Sequence, residues 1–297
     1  GSFSDTTTLD QKVVFSVGAA DHEHSASHDP GNRNEAVAAQ YSYTMNLNSS
    51  FTGDDNLYIR LKTGNGAGWM AEADEGGYLS SNNGNGDAIK VDKIWYTFPL
   101  GERQTVWIGP RIENYYMHAT TPSLYSPTLK QFTLGGNAAA YGASTNSGLG
   151  YAYEFDNGFA VSTNLVSKQN GTTNGFLTAE SAHSWATQVG YTQDQYSVSA
   201  ILNNKYNGWE DGYFSTQTGA GRTSGDSTNI GLRAWVRPED TSGSAIPSIS
   251  VGYDTSTLQF GADAVDSTNM WFAGFGWADI FQAEDKIGIA LGQPQQR

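Results

Sequence analysis

The sequence predicts an all-β fold, a transmembrane antiparallel β-barrel, and three observations carry that expectation. Apolar and polar residues alternate with period two in segment after segment, with almost no helical periodicity. The segments run to roughly 9 to 12 residues, longer than the ~5 to 6 usual in soluble strands and near the length that crosses a bilayer at a tilt. Short turns alternate with long loops, as at the two rims of an outer-membrane barrel.

The elements follow in order. From Tyr41 to Phe51 the odd positions carry Tyr41, Tyr43, Met45, Leu47 and Phe51, against Ser42, Thr44, Asn46, Asn48 and Ser50. Leu57, Ile59 and Leu61 oppose Tyr58, Arg60 and Lys62. Val106, Ile108 and Ile112 oppose Thr105, Trp107, Arg111 and Glu113. Gly150 to Leu165 reads as a hairpin about the turn Asp156-Asn157-Gly158, with Tyr151, Tyr153, Phe155, Phe159 and Val161 on one face. Trp185, Val189 and Tyr191 lead the next strand, then Tyr196, Val198 and Leu202, with Ile201 out of phase. Ile230, Leu232 and Val236 oppose Gly231, Arg233, Trp235 and Arg237. Ile249, Val251 and Tyr253, then Trp271, Phe275 and Trp277, then Ile287, Ile289 and Leu291 complete the series.

The connections at Thr52–Asn56, Gly101–Arg103, Asp156–Gly158 and Thr192–Gln195 are short. Those at Ala19–Glu35, Gly64–Ala88, Asn114–Ser147, Gln169–Ala182 and Asn207–Ser227 are long, which predicts short periplasmic turns and long extracellular loops. Arg60, Lys62, Arg111, Glu113, Arg233 and Arg237 all fall on the polar phase. An arginine facing mid-bilayer costs roughly 2 to 4 kcal/mol, so these six are expected to line a wet lumen, with the aromatic phase toward lipid.

Composition sets bounds on function. The chain has 297 residues, a net charge of −14 and no cysteine. A nucleic-acid partner is excluded by the charge, and a disulfide framework or thiolate chemistry by the missing cysteine. Aromatic residues make up 12% of the chain, which argues against disorder. No apolar run is long enough for a membrane-spanning helix.

Four stretches in order resemble the outer-membrane porins of cyanobacteria, among the OprB-like carbohydrate-selective porins. They are NLNSSFTGDDNLYIRLKTGN (46–65), IKVDKIWYTFPLGERQTVWIG (89–109), GLGYAYEFDNGFAVSTNLVS (148–167) and MWFAGFGWADIFQAEDKIGIALGQP (270–294). The resemblance implies a barrel of about 16 strands in the full protein. It also implies an N-terminal SLH domain that grips peptidoglycan, a homotrimer, and passive passage of small solutes and ions through the outer membrane without a cofactor. On this reading residues 1–297 are a single barrel domain. The SLH domain and the last C-terminal strands are expected to lie outside it, since roughly 13 strands are countable.

Candidate sites follow. The loop Asn114–Ser147 is the longest connection. It reads either as a constriction loop folded into the lumen, with Tyr115, Tyr116 and Lys130 meeting the solute, or as an external cover on the rim. Arg60, Lys62, Arg111, Arg233 and Arg237 read either as a basic ladder for anions or as charges neutralised by Glu113, Asp92 and loop carboxylates. His22, His24 and His28 are weak metal candidates in an exposed loop, and no metal site is expected. Glu72, Asp74 and Glu75 read as solvated loop carboxylates, and the pairs Glu72/Asp74 and Glu210/Asp211 lack the supporting shell of a glycosidase, so no enzyme is expected. The alternative from another class is a secreted, soluble β-sandwich or solenoid that binds carbohydrate, with the bulky face buried by a second sheet.

Overall fold

The computed structural model describes residues 6–19, 37–71, 78–135, 140–142, 145–169, 175–207, 209, 225–258 and 267–296. His22, His24, His28, Glu72, Asp74, Glu75, Glu210 and Asp211 lie outside the described residues.

Thirteen strands form one sheet in strict sequence order. They are β1 (Thr7–Gly18), β2 (Ala38–Ser49), β3 (Asn56–Gly64), β4 (Lys90–Pro99), β5 (Gln104–Ile112), β6 (Asn146–Glu154) and β7 (Phe159–Ser167). After them come β8 (His183–Thr192), β9 (Tyr196–Tyr206), β10 (Ser227–Val236), β11 (Ser248–Leu258), β12 (Ser267–Ala278) and β13 (Lys286–Gln296). Every adjacent pair is antiparallel, so the sheet is a continuous meander with β1 and β13 at its ends. Regular structure otherwise is limited to 3-10 turns at Gly68–Ala71, Asn114–Tyr116 and Lys130–Gly135 among the described residues.

The faces of this sheet are inverted relative to a soluble protein. On β10, Ile230, Leu232 and Val236 are 43%, 51% and 48% exposed, while Asn229, Arg233 and Trp235 are 1%, 3% and 6% exposed. On β6 and β7, Leu149, Tyr151, Phe159 and Val161 face out, while Ala152, Ser162 and Asn164 are buried. A sandwich would cover the apolar face with a second sheet; here that face is bare, and only a hydrocarbon solvent suits it. Aromatic rings gather toward the short-turn end of the outward face: Tyr153 lies 4.7 Å from Phe155, Phe159 lies 4.7 Å from Tyr191, and Tyr96 lies 5.6 Å from Phe98. Such a row marks the interface of a membrane barrel.

Turn chemistry fixes the register. The β6–β7 turn closes by Phe155 N–H donating to the Phe159 carbonyl at 2.8 Å, and Gly158 sits at φ +98°, where a side chain would strain the backbone. At the β2–β3 turn the Asp55 carboxylate accepts from the Phe51 and Thr52 amides, the Ser50 and Thr52 hydroxyls and, from β4, the Tyr96 hydroxyl. These donors hold its pKa well below the usual carboxylate range.

The alternation breaks at one predicted site residue. Between Gly109 and Ile112 the register of β5 shifts, at Pro110, which has no N–H to give the ladder. Ile112, expected on the outward phase, turns inward and is fully buried. Arg111, expected inward, pairs with the outward-facing Ile94 and is exposed, with Nε donating to the Asp92 carbonyl at 3.3 Å. The pore-lining expectation for Arg111 is therefore corrected: the bulge carries it onto the outer face.

Candidate functional site

The segment after β5 does not arch away from the sheet. It crosses the inward face of the later strands, and each crossing is bonded. Asn164 Nδ2 on β7 donates to the Asn114 carbonyl at 3.2 Å, and His118 Nδ1 lies 2.9 Å from Ser162 Oγ. On β8, Gln188 binds Thr120 twice, accepting from its N–H at 3.1 Å and donating to its carbonyl at 2.9 Å. On β10, Trp235 Nε1 donates to the Thr121 carbonyl at 2.9 Å, and on β11 Ser250 Oγ accepts from Leu124 N–H at 2.8 Å. The return path is tied as well: Arg233 Nε donates to the Leu134 carbonyl at 2.8 Å, and Asn203 Nδ2 donates to the Ala140 carbonyl at 2.9 Å.

The inward face is built to receive this segment. A Cβ at Gly150 would sit 2.7 Å from Met117 Sδ, and one at Gly190 would overlap the Thr120 side chain. Two small cores form between loop and sheet. One joins Trp95, Ile112, Met117, Val166 and Trp209; the other joins Ala140, Tyr141, Ala186 and Ile201. Ile201 breaks the outward series because it packs under the loop. Burial without a counter-charge pushes the pKa of His118 down to about 3.

Where the loop leaves β5, charged and aromatic side chains collect. Arg60 Nε donates to Asn46 Oδ1 at 3.1 Å and to the Tyr58 hydroxyl at 2.9 Å, and the guanidinium lies 3.8 Å from Asp92. Lys93 Nζ bonds Glu113 Oε1 at 2.7 Å and lies 3.6 Å from Asp92. Glu113 also accepts from the Thr145 hydroxyl at 2.6 Å. Tyr58, Trp95, Tyr116 and Tyr115 form a chain of rings with centroids 4.3, 4.9 and 4.5 Å apart. Arg60 and Lys93 lie over the Tyr116 ring at 6.0 and 5.6 Å. Burial, with Glu113 beside it, raises the pKa of the Tyr115 phenol well above its usual value.

Lys62 is the distinctive member. It interacts electrostatically with Asp92 as well as with Lys130, Arg60 and Lys93, and among the described residues no carboxylate lies within ion-pair distance of it. Arg60, Lys62 and Lys93 against Asp92 and Glu113 leave an excess positive charge in a chain that is acidic overall.

Of the expected set, then, Arg60, Lys62, Glu113, Tyr115 and Tyr116 stand together, and Lys130 is within electrostatic reach of Lys62, with its ammonium 5.9 Å from the Tyr78 ring. Arg233 is on the inward phase but not in open lumen. It lies beneath the loop, bound to both Asp254 oxygens at 2.5 and 3.0 Å. Arg237 stands apart at the short-turn end of β10, with Nε donating to the Asp194 carbonyl at 2.7 Å. Sequence reasoning missed Lys93, although simple alternation about Ile94 sets it on the phase of Trp95, and both are buried.

No family model matches the chain. It is 25% identical over 345 aligned residues to an uncharacterized Nostoc protein, covering 99% of this chain and 56% of that one. The chain thus spans about half the length of the curated relative it matches. Among solved structures it superimposes on OprB of Pseudomonas putida with a TM-score of 0.57 at 14% identity, covering 97% of this chain and 74% of that one.

The fold is that of an outer-membrane β-barrel.

The outer-membrane channel DcaP of Acinetobacter baumannii is a more distant neighbour, with a TM-score of 0.46 at 7% identity. In a barrel of this kind the bare apolar face meets lipid and the loop-bearing face is the inner wall. The Arg60–Lys62–Lys93 cluster then sits on the inner wall, beside the root of the inserted loop.

Proposed function

We propose that this chain forms part of the barrel of an outer-membrane porin that passes small hydrophilic solutes and ions passively and favours anions at the Arg60–Lys62–Lys93 cluster. The observation that carries the reading is the loop bonded strand by strand across the inward face while the apolar face stays bare. A folded loop narrows the passage, and an excess of cations over carboxylates on a pore wall favours anions. Tyr115, Tyr116 and Lys130 belong to the constriction in this reading. The soluble sandwich is disfavoured, because it needs the outward face buried. A homotrimer, carbohydrate passage and an SLH domain reaching peptidoglycan follow from the family resemblance alone.

The test is single-channel conductance of the folded chain in a planar bilayer under a salt gradient. The expected result is steady steps and a reversal potential of the anion-selective sign. Arg60→Gln with Lys62→Gln should move that potential toward cation selectivity, whereas Arg111→Ala should leave it in place. If the Arg60/Lys62 double variant does not shift the potential, the cluster is structural and the anion preference is wrong.

A further inference from the structure

A second cavity lies on the inward face at the opposite end of the barrel, between the tip of the inserted loop and the short-turn ends of β10 to β13. Its volume is about 460 Å³, within the range of small-molecule sites. Arg237 and Lys286 line it, and no Asp or Glu does. Neither cation forms an ion pair with a described carboxylate. Arg237 is also preset: Nε is held by the Asp194 carbonyl, and the guanidinium lies 5.3 Å from the Trp235 ring centre.

The rest of the lining has a different chemistry. Tyr125, from the loop, packs on the wall beside Phe272, their ring centroids 5.4 Å apart, and over two glycines: a Cβ at Gly288 would sit 3.0 Å from its ring, and one at Gly274 would sit 2.7 Å from it. Ser126, Thr128 and Ser248 add hydroxyls that can both donate and accept. Two cations, the rings of Tyr125 and Trp277 and several hydroxyls complement a molecule with a carboxylate, a flat ring and ring hydroxyls.

We propose that this cavity is a binding site for a sugar acid of monosaccharide size. The carboxylate meets Arg237 and Lys286, the ring face lies on Tyr125, and the ring hydroxyls bond Ser126, Thr128 and Ser248. The site is separate from the Arg60–Lys62 cluster, being formed by β10 to β13 and the loop tip rather than by β3 to β5.

The full chain, folded in detergent, is titrated calorimetrically with glucuronate, and with glucose as the neutral counterpart. Saturable glucuronate binding is expected, with glucose much weaker. Losing two charge-assisted contacts in Arg237→Gln with Lys286→Gln should weaken glucuronate at least about tenfold. Ser126→Trp should block the cavity with both cations intact. Arg103→Gln, which removes a cation on a different short turn, should change nothing. The proposal is overturned by no saturable binding to the wild type, by equal affinity for glucose, or by unchanged affinity in both the double variant and Ser126→Trp. A chain that conducts without binding glucuronate refutes this site and leaves the porin reading standing; one that binds glucuronate without conducting leaves this site standing.

Discussion

Replacing Arg233 by Met tests the claim that the inserted loop is locked onto the inner wall. The guanidinium is nearly sealed from solvent: side-chain exposure is 1% for Arg233 and 2% for Asp254. Its N–H groups are satisfied by the two Asp254 oxygens, the Leu134 carbonyl of the loop and the Leu232 carbonyl of its own strand. Arg233→Met removes the cation and leaves Asp254 buried opposite an apolar chain. Breaking a buried pair from one side costs about 3 to 5 kcal/mol, because the remaining charge must be dehydrated with only the more distant field of Lys205 to offset it, or neutralised. Arg233→Met with Asp254→Leu removes both charges, and such replacements are often neutral, so stability should return to within about 1 kcal/mol of the wild type. Neither variant restores the bond to Leu134, so both should release the returning limb of the loop. Urea unfolding of protein inserted in lipid vesicles reads the stability, and single-channel recording reads the loop. The expected pattern is a large loss for the single variant and recovery for the double, with larger or noisier conductance in both. A single variant that loses less than about 1 kcal/mol, with unchanged conductance, would refute the reasoning.

Two further outcomes follow from the same docking geometry. Gly190→Val places a branched side chain where Thr120 lies, so the loop must lift from β8; conductance should rise and protease sensitivity of the loop should increase, while the fold, read by circular dichroism, persists. His118 is buried beside Ser162 with a folded pKa near 3, below the unfolded value of about 6.5. Its contribution to stability is therefore fully present above about pH 6.5 and is lost as the pH falls toward 3, by roughly 4 to 5 kcal/mol. His118→Asn should flatten that part of the acid unfolding profile, and an identical profile in the variant would count against the burial.

Strand phase was legible in the sequence because a period-two pattern needs no knowledge of neighbours: Ile230, Leu232 and Val236 read as outward and are outward. The pattern misleads only where the backbone slips. Pro110 marks that slip for Arg111, and it was visible in the sequence as a residue unable to serve a central ladder. Arg233 shows a different limit. Its phase is right, but phase gives direction and not depth. Its neutralisation by Asp254 depends on the β10–β11 register, which sets Gly231 opposite Asp254.

The small residues of the inward face teach the same lesson. Gly150, Ala152, Gly190, Gly252 and Gly274 are compatible with a hydrated wall, since water asks little of a surface. Water, however, does not require glycine: serine or asparagine would serve as well. A row of glycines across adjacent strands instead marks the places where another segment must come close, and the side chains of Met117, Thr120 and Tyr125 and the carbonyl of Gly135 occupy those places. The polar residues between them, Ser162, Asn164, Gln188 and Ser250, are the matching donors and acceptors for the loop. On this inner wall, then, alternation of glycine with hydrogen-bonding residues encodes a docking track for the loop, while Lys62 at one end and the pair Arg237 and Lys286 at the other form no ion pair with a described carboxylate.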